Sequence, residues 1–269
     1  MPEIENQVAI ITGAGRMRGI GRAAALALAD AGCDIVLTGT GRDPSAFPDD
    51  EKQAGWSDIE SVADEVRALG RRALPLVVNV ADADQVENMV KQAVSSLGRV
   101  DILVNNAAFL RGVDRVPVVD LPEELFRKVM EIKMVGTFLC SQAVARHLID
   151  QGQGGSIVNV SSTAGRRGLA NTAAYCAANF AVHGFTQSLA LELATHQIRV
   201  NAVCPGLIDT ERNELLKEDD RWDRQLHSIP LGHAGTADDI GQAIRFLCSP
   251  GAAYITGEYI NINGGSVMQ

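Results

Sequence analysis

Short β-branched apolar runs alternate with longer amphipathic stretches along nearly the whole chain, and this rhythm limits the possible folds more than any other feature. The runs lie at 8–12, 34–38, 73–80, 102–105, 156–161, 199–203 and 259–263. Most are apolar throughout rather than at every second position, which predicts strands covered on both faces of a parallel sheet. Helical spacing fills the intervals 19–31, 57–69, 83–97, 122–150, 172–195 and 237–248. The alternation predicts right-handed β-α-β crossovers and a doubly wound α/β sheet. No Pro/Ser-rich linker or composition break divides residues 1–269, so one domain is expected.

Composition narrows the classes of function. With 46% hydrophobic residues the chain has enough apolar surface to offset the entropy of ordering a core. Its net charge of −9 and lack of a basic block argue against nucleic acid as a partner. The five cysteines are scattered, with no CxxC pair, which argues against a disulfide framework or a zinc knuckle and fits a reducing compartment. The histidines show no HExxH-like spacing, so no metal is expected. The N-terminus has no signal-type apolar stretch and no run approaches the roughly 18–20 residues of a membrane span, so a cytoplasmic protein is expected.

Two segments break the rhythm. Residues 42–55 carry two prolines and several acids between the second strand and its helix, longer than the usual connection there. Residues 206–234 form a long polar stretch after the sixth strand, the expected place for a substrate lid. Within it, Trp222 covers substrate or anchors the loop.

The first strand runs into Thr12-Gly13-Ala14-Gly15-Arg16-Met17-Arg18-Gly19-Ile20-Gly21 and then an alanine-rich helix. Glycines there let the backbone turn tightly and approach a pyrophosphate at the helix N-terminus. Further signals follow in order: Asn105-Asn106-Ala107-Ala108, Ser161-Ser162, Tyr175, Pro205-Gly206 with Ile208 and Thr210, Ile255-Thr256-Gly257 and Asn263-Gly264-Gly265. Together they resemble the short-chain dehydrogenase/reductase family over essentially the full length. The resemblance implies a Rossmann-type doubly wound parallel sheet of about seven strands with helices on both faces. It also implies a nicotinamide cofactor, a small carbonyl or alcohol substrate, and a homo-oligomer, tetramer or dimer. Cofactor contacts are implied at Gly13, Gly15, Gly19, Ile20, Gly21, Asn106, Ala107, Pro205, Gly206, Ile208 and Thr210. Asn79 stands where the family places an aspartate beside adenine, and an amide can still hydrogen-bond there.

The departures are informative. The glycine turn holds two more residues than the family spacing, so residues 16–18 are expected to bulge. Arg18 matches a position where NADP-using members often carry a basic residue. The second strand ends Thr38-Gly39-Thr40-Gly41-Arg42, with glycine where NAD-using members usually place an acid. No carboxylate is visible there to repel a 2′-phosphate, and Arg18 and Arg42 are expected to pair with it, favouring NADP(H). The alternative is that both arginines are solvated.

At the catalytic end the resemblance implies Tyr175 as the proton-transferring group and Ser162 as the hydrogen-bond partner of the carbonyl oxygen. A phenol with an ordinary pKa of about 10 needs help; a cation about 4 Å away contributes about 4 kcal/mol at an effective dielectric near 20. The family supplies it from a lysine four residues after the tyrosine, but position 179 is Asn179, while the family's helix asparagine is here Lys133. Either the two residue types have exchanged places, with Lys133 supplying the charge and Asn179 holding the ribose, or two substitutions damaged the site and Lys133 lies on the surface. His183 is a spare base or a satisfied core histidine, and Arg166-Arg167 either grip an anion or are solvated. The leading expectation is an NAD(P)(H)-dependent oxidoreductase interconverting a ketone or aldehyde and its alcohol. The alternatives are a nucleotide-binding protein without turnover, or non-redox acid/base chemistry at the same site.

Overall fold

A computed structural model of the protein describes residues 4–218 and 220–268. Seven parallel strands form the main sheet in the order β3-β2-β1-β4-β5-β6-β9. They are β1 (Val8–Ile11), β2 (Asp34–Gly39), β3 (Ala73–Val77), β4 (Ile102–Asn105), β5 (Gly155–Val160), β6 (Ile198–Pro205) and β9 (Tyr259–Ile262). Each expected strand is present. β7 (Ile208–Asp209), near the start of the 206–234 segment, and β8 (Gly235–Thr236), just past its end, make a separate two-residue ladder.

Side-chain alternation along β1 sorts the core into two layers. Ala9 and Ile11 pack beneath α1 (Ile20–Asp30), α3 (Ile59–Ala68) and α9 (Ala237–Cys248), with Leu28, Val66 and Ile244. Val8 and Ile10 pack beneath α4 (Ala83–Leu97), α6 (Gly136–Gln151) and α7 (Ala173–Leu193), with Met89, Val144 and Leu193. Both faces are covered, which is why the strands read as continuous apolar runs. The doubly wound Rossmann-type expectation holds. Among the described residues no helix is long and apolar enough to cross a membrane.

The stretch expected as one helix over 122–150 runs as α5 (Glu123–Met130), a π-helical segment Glu131–Val135, and α6. The extra residue in a π turn rotates the side chains that follow it, and such bulges are frequent at functional sites. Lys133 lies inside this one. The 42–55 insertion contains a 3-10 turn (Pro44–Ala46) and a short α2 (Asp49–Gln53). The long polar stretch continues past β7 through a 3-10 turn (Glu211–Leu216) and α8 (Arg221–His227).

One chain of buried polar groups ties the helices to the sheet. Asn105 on β4 and Asn159 on β5 stand in register. Asn105 Nδ2 donates to Asn159 Oδ1 and to Ser141 Oγ of α6, each at 2.9 Å. Asn159 Nδ2 donates to Thr186 Oγ1 of α7 at 2.9 Å. All four residues are buried, so these bonds act at low dielectric and each lost partner exposes an unsatisfied group. Replacing Asn159 with Ala is expected to destabilise the fold by about 2–4 kcal/mol. Calorimetric melting should register this as a Tm lower by roughly 5–10 °C.

Candidate active site

At the carboxyl edge of the sheet, β1 and β4 lie side by side and their following loops are fastened together. Thr12 Oγ1 accepts from the backbone N–H groups of Asn106 and Ala107, each at 3.0 Å. Asn106 Nδ2 donates to Thr12 O at 2.9 Å and Gly13 O at 2.8 Å. The Asn106 amide therefore holds the turn. Gly13 has φ +68°, and a Cβ there would lie 2.9 Å from Ala107 Cα, so only glycine fits. Gly19 caps α1 without a side-chain acceptor, and Ile20, Gly21 and the rest of the first turn carry no acid. A glycine cradle opening onto a helix N-terminus with no side-chain cap suits a pyrophosphate. Asn79 is exposed, its Oδ1 accepting from Ala81 N at 3.1 Å.

The arginines near this turn are ion-paired within the protein. Arg42 pairs with Glu51 at 2.9 Å and Asp58 at 3.1 Å, and also donates to Gly15 O. Arg18 pairs with Asp50 at 3.1 Å and Glu214 at 2.9 Å. Arg16 pairs with Glu211. Neither Arg18 nor Arg42 is a free cation awaiting a 2′-phosphate. Carboxylates do stand at the end of β2: Asp58 lies so close that a Cβ on Gly15 would be 1.5 Å from its Oδ1, and one on Gly39 would be 3.5 Å from its Oδ2. The absent acid of β2 is thus replaced in space by one from the start of α3. Asp58 holds this place with φ 55° and ψ −129°, a conformation costing a non-glycine residue on the order of 1–3 kcal/mol. The bulge at residues 16–18 is clasped by acids from the insertion and the 206–234 segment. Glu51, 1% exposed, accepts from Met17 N at 2.9 Å as well.

Beside the cradle opens a cleft of about 450 Å³. It gathers Ile20, Asn106, Lys133, Ser162, Tyr175, Asn179, Pro205, Gly206, Ile208 and Thr210 from the expected set. Gly13, Gly15, Arg18, Gly19, Gly21, Arg42, Asn79 and Ala107 lie outside its lining. β5 delivers Ser162, which caps the next 3-10 turn by accepting from Ala164 N at 3.1 Å. Tyr175 sits in the first turn of α7 with the guanidinium of Arg115 4.1 Å from its ring centroid and that of Arg212 at 5.3 Å. Lys133 is 4% exposed, its Nζ donating to Val160 O at 2.5 Å. It is not a surface residue. Asn179 is wholly buried, its Nδ2 donating to Tyr175 O at 2.8 Å and its Oδ1 accepting from Ser161 Oγ at 3.3 Å. Its amide is engaged by neighbouring groups of the protein, while the residue still lines the cleft.

Full-length likeness accompanies this geometry. The enoyl-(acyl carrier protein) reductase family profile matches residues 13–267. A 3-oxoacyl-[acyl-carrier-protein] reductase of Synechocystis is 37% identical over 269 residues, covering 100% of both chains. A short-chain type dehydrogenase/reductase from Mycobacterium marinum superposes with a TM-score of 0.87 at 34% identity, covering 99% of this chain and 98% of that one. Carveol dehydrogenase from Mycobacterium avium, solved in complex with NAD, gives a TM-score of 0.88 at 31% identity with 100% coverage of each. The chain belongs to the short-chain dehydrogenase/reductase family. It is an oxidoreductase of the carbonyl–alcohol class that uses a nicotinamide cofactor.

Several features of this short-chain dehydrogenase/reductase were not among the residues expected from sequence. Asp58 and Glu51 at the nucleotide end, and Arg111, Arg115 and Arg212 at the catalytic end, emerge only when loops fold back. The spacing of Arg111 and Arg115 after the Asn-Asn-Ala-Ala run was the one available signal. Trp222 packs with Leu207, Leu216 and Ile229 beneath Lys217, and so anchors the 206–234 segment. His183 is a core residue: its Nε2 meets Ser161 Oγ at 2.8 Å, and its ring stacks on Tyr259 at 4.5 Å. Burial, aided by Arg166, pushes its pKa down to about 4, so it is neutral at physiological pH. Arg166 lies over Tyr259 as the third member of that stack. Among the described residues no group of three His, Cys, Asp or Glu side chains is placed to hold a metal ion.

Burial, and secondarily the charge of Arg212, pushes the Lys133 amine from 10.5 down to about 7. Between those values the unfolded chain binds more protons than the native one, so Lys133 makes stability rise with pH across that window. Below about pH 7 both states are protonated and the penalty of burying the ammonium is fully present. The Tm of wild type minus that of Lys133→Met is therefore expected to rise by several degrees between pH 7 and pH 10. Melts across that range check the sign.

Proposed function

We propose that Tyr175 and Ser162 manage the proton and the oxygen in this redox reaction. The observation that carries the reading is the convergence of Ser162, Tyr175 and Lys133 on one cleft that also takes in Ile20 and Asn106, the residues bordering the glycine cradle. The turn Gly13, Gly15, Gly19, Ile20 and Gly21 would hold a dinucleotide with its pyrophosphate at the N-terminus of α1, with Ala107 and Asn79 along one edge. Pro205, Gly206, Ile208 and Thr210 line the cleft on the side where the nicotinamide end belongs. When bound, a nicotinamide supplies or accepts the hydride.

In the reductive direction Ser162 Oγ hydrogen-bonds the carbonyl oxygen and Tyr175 Oη delivers the proton. The charge that favours the resulting phenolate comes from the guanidinium groups of Arg115 and Arg212 against the ring. Lys133, whose amine titrates near neutrality, serves as the proton relay behind them. The exchange of Lys and Asn between the two helices thus gives the relay a group that can itself carry the proton. Tyr175→Phe is expected to lower kcat by roughly 10²–10⁴-fold while NADH still binds. Steady-state assays with a nicotinamide fluorescence titration separate the two effects.

For the nucleotide, we infer NAD(H) rather than the NADP(H) expected from sequence. Arg16, Arg18 and Arg42 face Asp50, Glu51, Asp58, Glu211 and Glu214, so the region has more acids than bases. A dianionic 2′-phosphate would enter an already compensated, net negative setting, whereas Asp58 suits ribose hydroxyls. Fluorescence titration is expected to show NADH binding more tightly than NADPH, and Asp58→Asn should narrow that gap on the order of tenfold. Tighter NADPH binding by the wild type would sink the inference. A second copy of the chain is the proposed cover for Phe126, Val135, Phe138 and Phe180, exposed along α5 to α7, which supports a homo-oligomer, dimer or tetramer.

A further inference from the structure

Positive charge is distributed unevenly in this acidic chain. The arginines of the glycine turn are each matched by carboxylates, but those around Tyr175 are not. Arg115 and Arg212 flank the ring, and Arg111 lines the same cleft. They come from two separate segments, the loop after β4 and the 3-10 turn Glu211–Leu216. Among the described residues the one carboxylate paired with any of the three is Asp114. It lies 3.4 Å from Arg115 Nε, in a direction that leaves that buried Nε without a hydrogen bond. Arg111 and Arg212 donate to neutral acceptors, Asn213 Oδ1 and Phe109 O.

Four arginines line the cleft; Arg167 is exposed, whereas the guanidinium groups of Arg111, Arg115 and Arg212 are partly buried together and repel one another. Burial, with the charges of Arg115 and Arg212, pushes Arg111 down to about 10 from 12.5. Such an arrangement is costly unless an anion completes it, and guanidinium groups are suited to gripping a carboxylate through paired hydrogen bonds. Leu169, Leu207 and Ile229 also line the cleft and suit a hydrocarbon segment.

We propose that the substrate is an oxo acid, or the corresponding hydroxy acid, whose carboxylate seats among Arg111, Arg115 and Arg212 while its carbonyl or hydroxyl meets Ser162 and Tyr175. The proposal rests on the redox reading above and adds the charge of the substrate to it. The reaction balances as a hydride to the carbonyl carbon from reduced nicotinamide and a proton to its oxygen from Tyr175, with the carboxylate unchanged.

The test has a binding arm and a turnover arm. In the first, hexanoate and hexanamide are titrated calorimetrically into the protein saturated with NADH. In the second, 3-oxobutanoate, 4-oxopentanoate, 5-oxohexanoate and 4-oxocyclohexanecarboxylate are each compared with their methyl esters by NADH oxidation. Hexanoate is expected to bind on the order of tenfold more tightly than the amide, and the acids to exceed their esters in kcat/KM by a similar factor. Arg111→Met should erase that preference and Arg111→Lys should retain most of it, with NADH titration and melting confirming that both variants fold. Equal binding of acid and amide, or a preference unchanged in Arg111→Met, would overturn the proposal. Carboxylate binding without turnover of any panel member would sustain the anion site and count against the redox reading. Ester turnover without acid preference would do the reverse.

Discussion

The parallel pairing of β1 with β4 is the contact on which the remaining structure depends. It brings two strands more than 90 residues apart in sequence into register, Ala9 with Ile102 through Ile11 with Val104, and it is the point where the sheet reverses its winding. Everything at the carboxyl edge follows from that junction. Thr12 and Asn106 bind each other's loops, the glycine turn cannot shift against Ala107, and a crevice opens between chain segments leaving in opposite directions. The neighbouring β4–β5 pair then fixes the helices. Because Asn105 and Asn159 reach Ser141 and Thr186, α6 and α7 are tied to the strands by hydrogen bonds as well as apolar packing. Tyr175 is delivered by α7, and Lys133 by the π turn that leads into α6.

Charge is the second organising element. An excess of acids over bases would be expected to neutralise every arginine it can reach, and at the nucleotide end it does. Glu51 is the centre of that arrangement, buried while accepting from Arg42, close to Arg16 and bonded to Met17 N. The insertion, the glycine turn and the 206–234 segment are thereby drawn into one clasp. Around Tyr175 the same chain leaves three arginines with a single poorly aligned carboxylate. The contrast is local, so net charge conceals it. Lys133 belongs to the same physics: buried, and near the charge of Arg212, its amine is pushed down to about 7 instead of adding a further permanent charge.

The residues first read as cofactor contacts divide by what their atoms are doing. Gly13, Gly19, Ile20 and Gly21 shape the backbone, and their role was legible because the requirement is steric and local. Asn106 has a local partner set that sequence could not display, and its amide is engaged with Thr12 and Gly13. The acids that bind Arg18 and Arg42 lie elsewhere in the chain: Asp50 and Glu51 in the insertion, Asp58 beyond it, Glu214 across the molecule. Ionic pairing at such separations leaves no periodic trace in the sequence.

By itself the sequence determined the alternation of strands and helices, the doubly covered parallel sheet, the glycine cradle, and the Ser162–Tyr175 pair on one edge. Those properties follow from hydrophobic period, β-branching and steric need, each of which acts over a few residues. The departures at 133 and 179 were also visible there, as an exchange of residue types. Only the tertiary structure decided where those two side chains lie. A π turn places Lys133 in the site, the packing of α7 turns Asn179 inward, Asp58 arrives where β2 lacks an acid, and Arg111, Arg115 and Arg212 surround the tyrosine. Each of these depends on the spacing of groups brought together from distant segments, and Coulombic and hydrogen-bond energies are set by that spacing in three dimensions rather than by order along the chain.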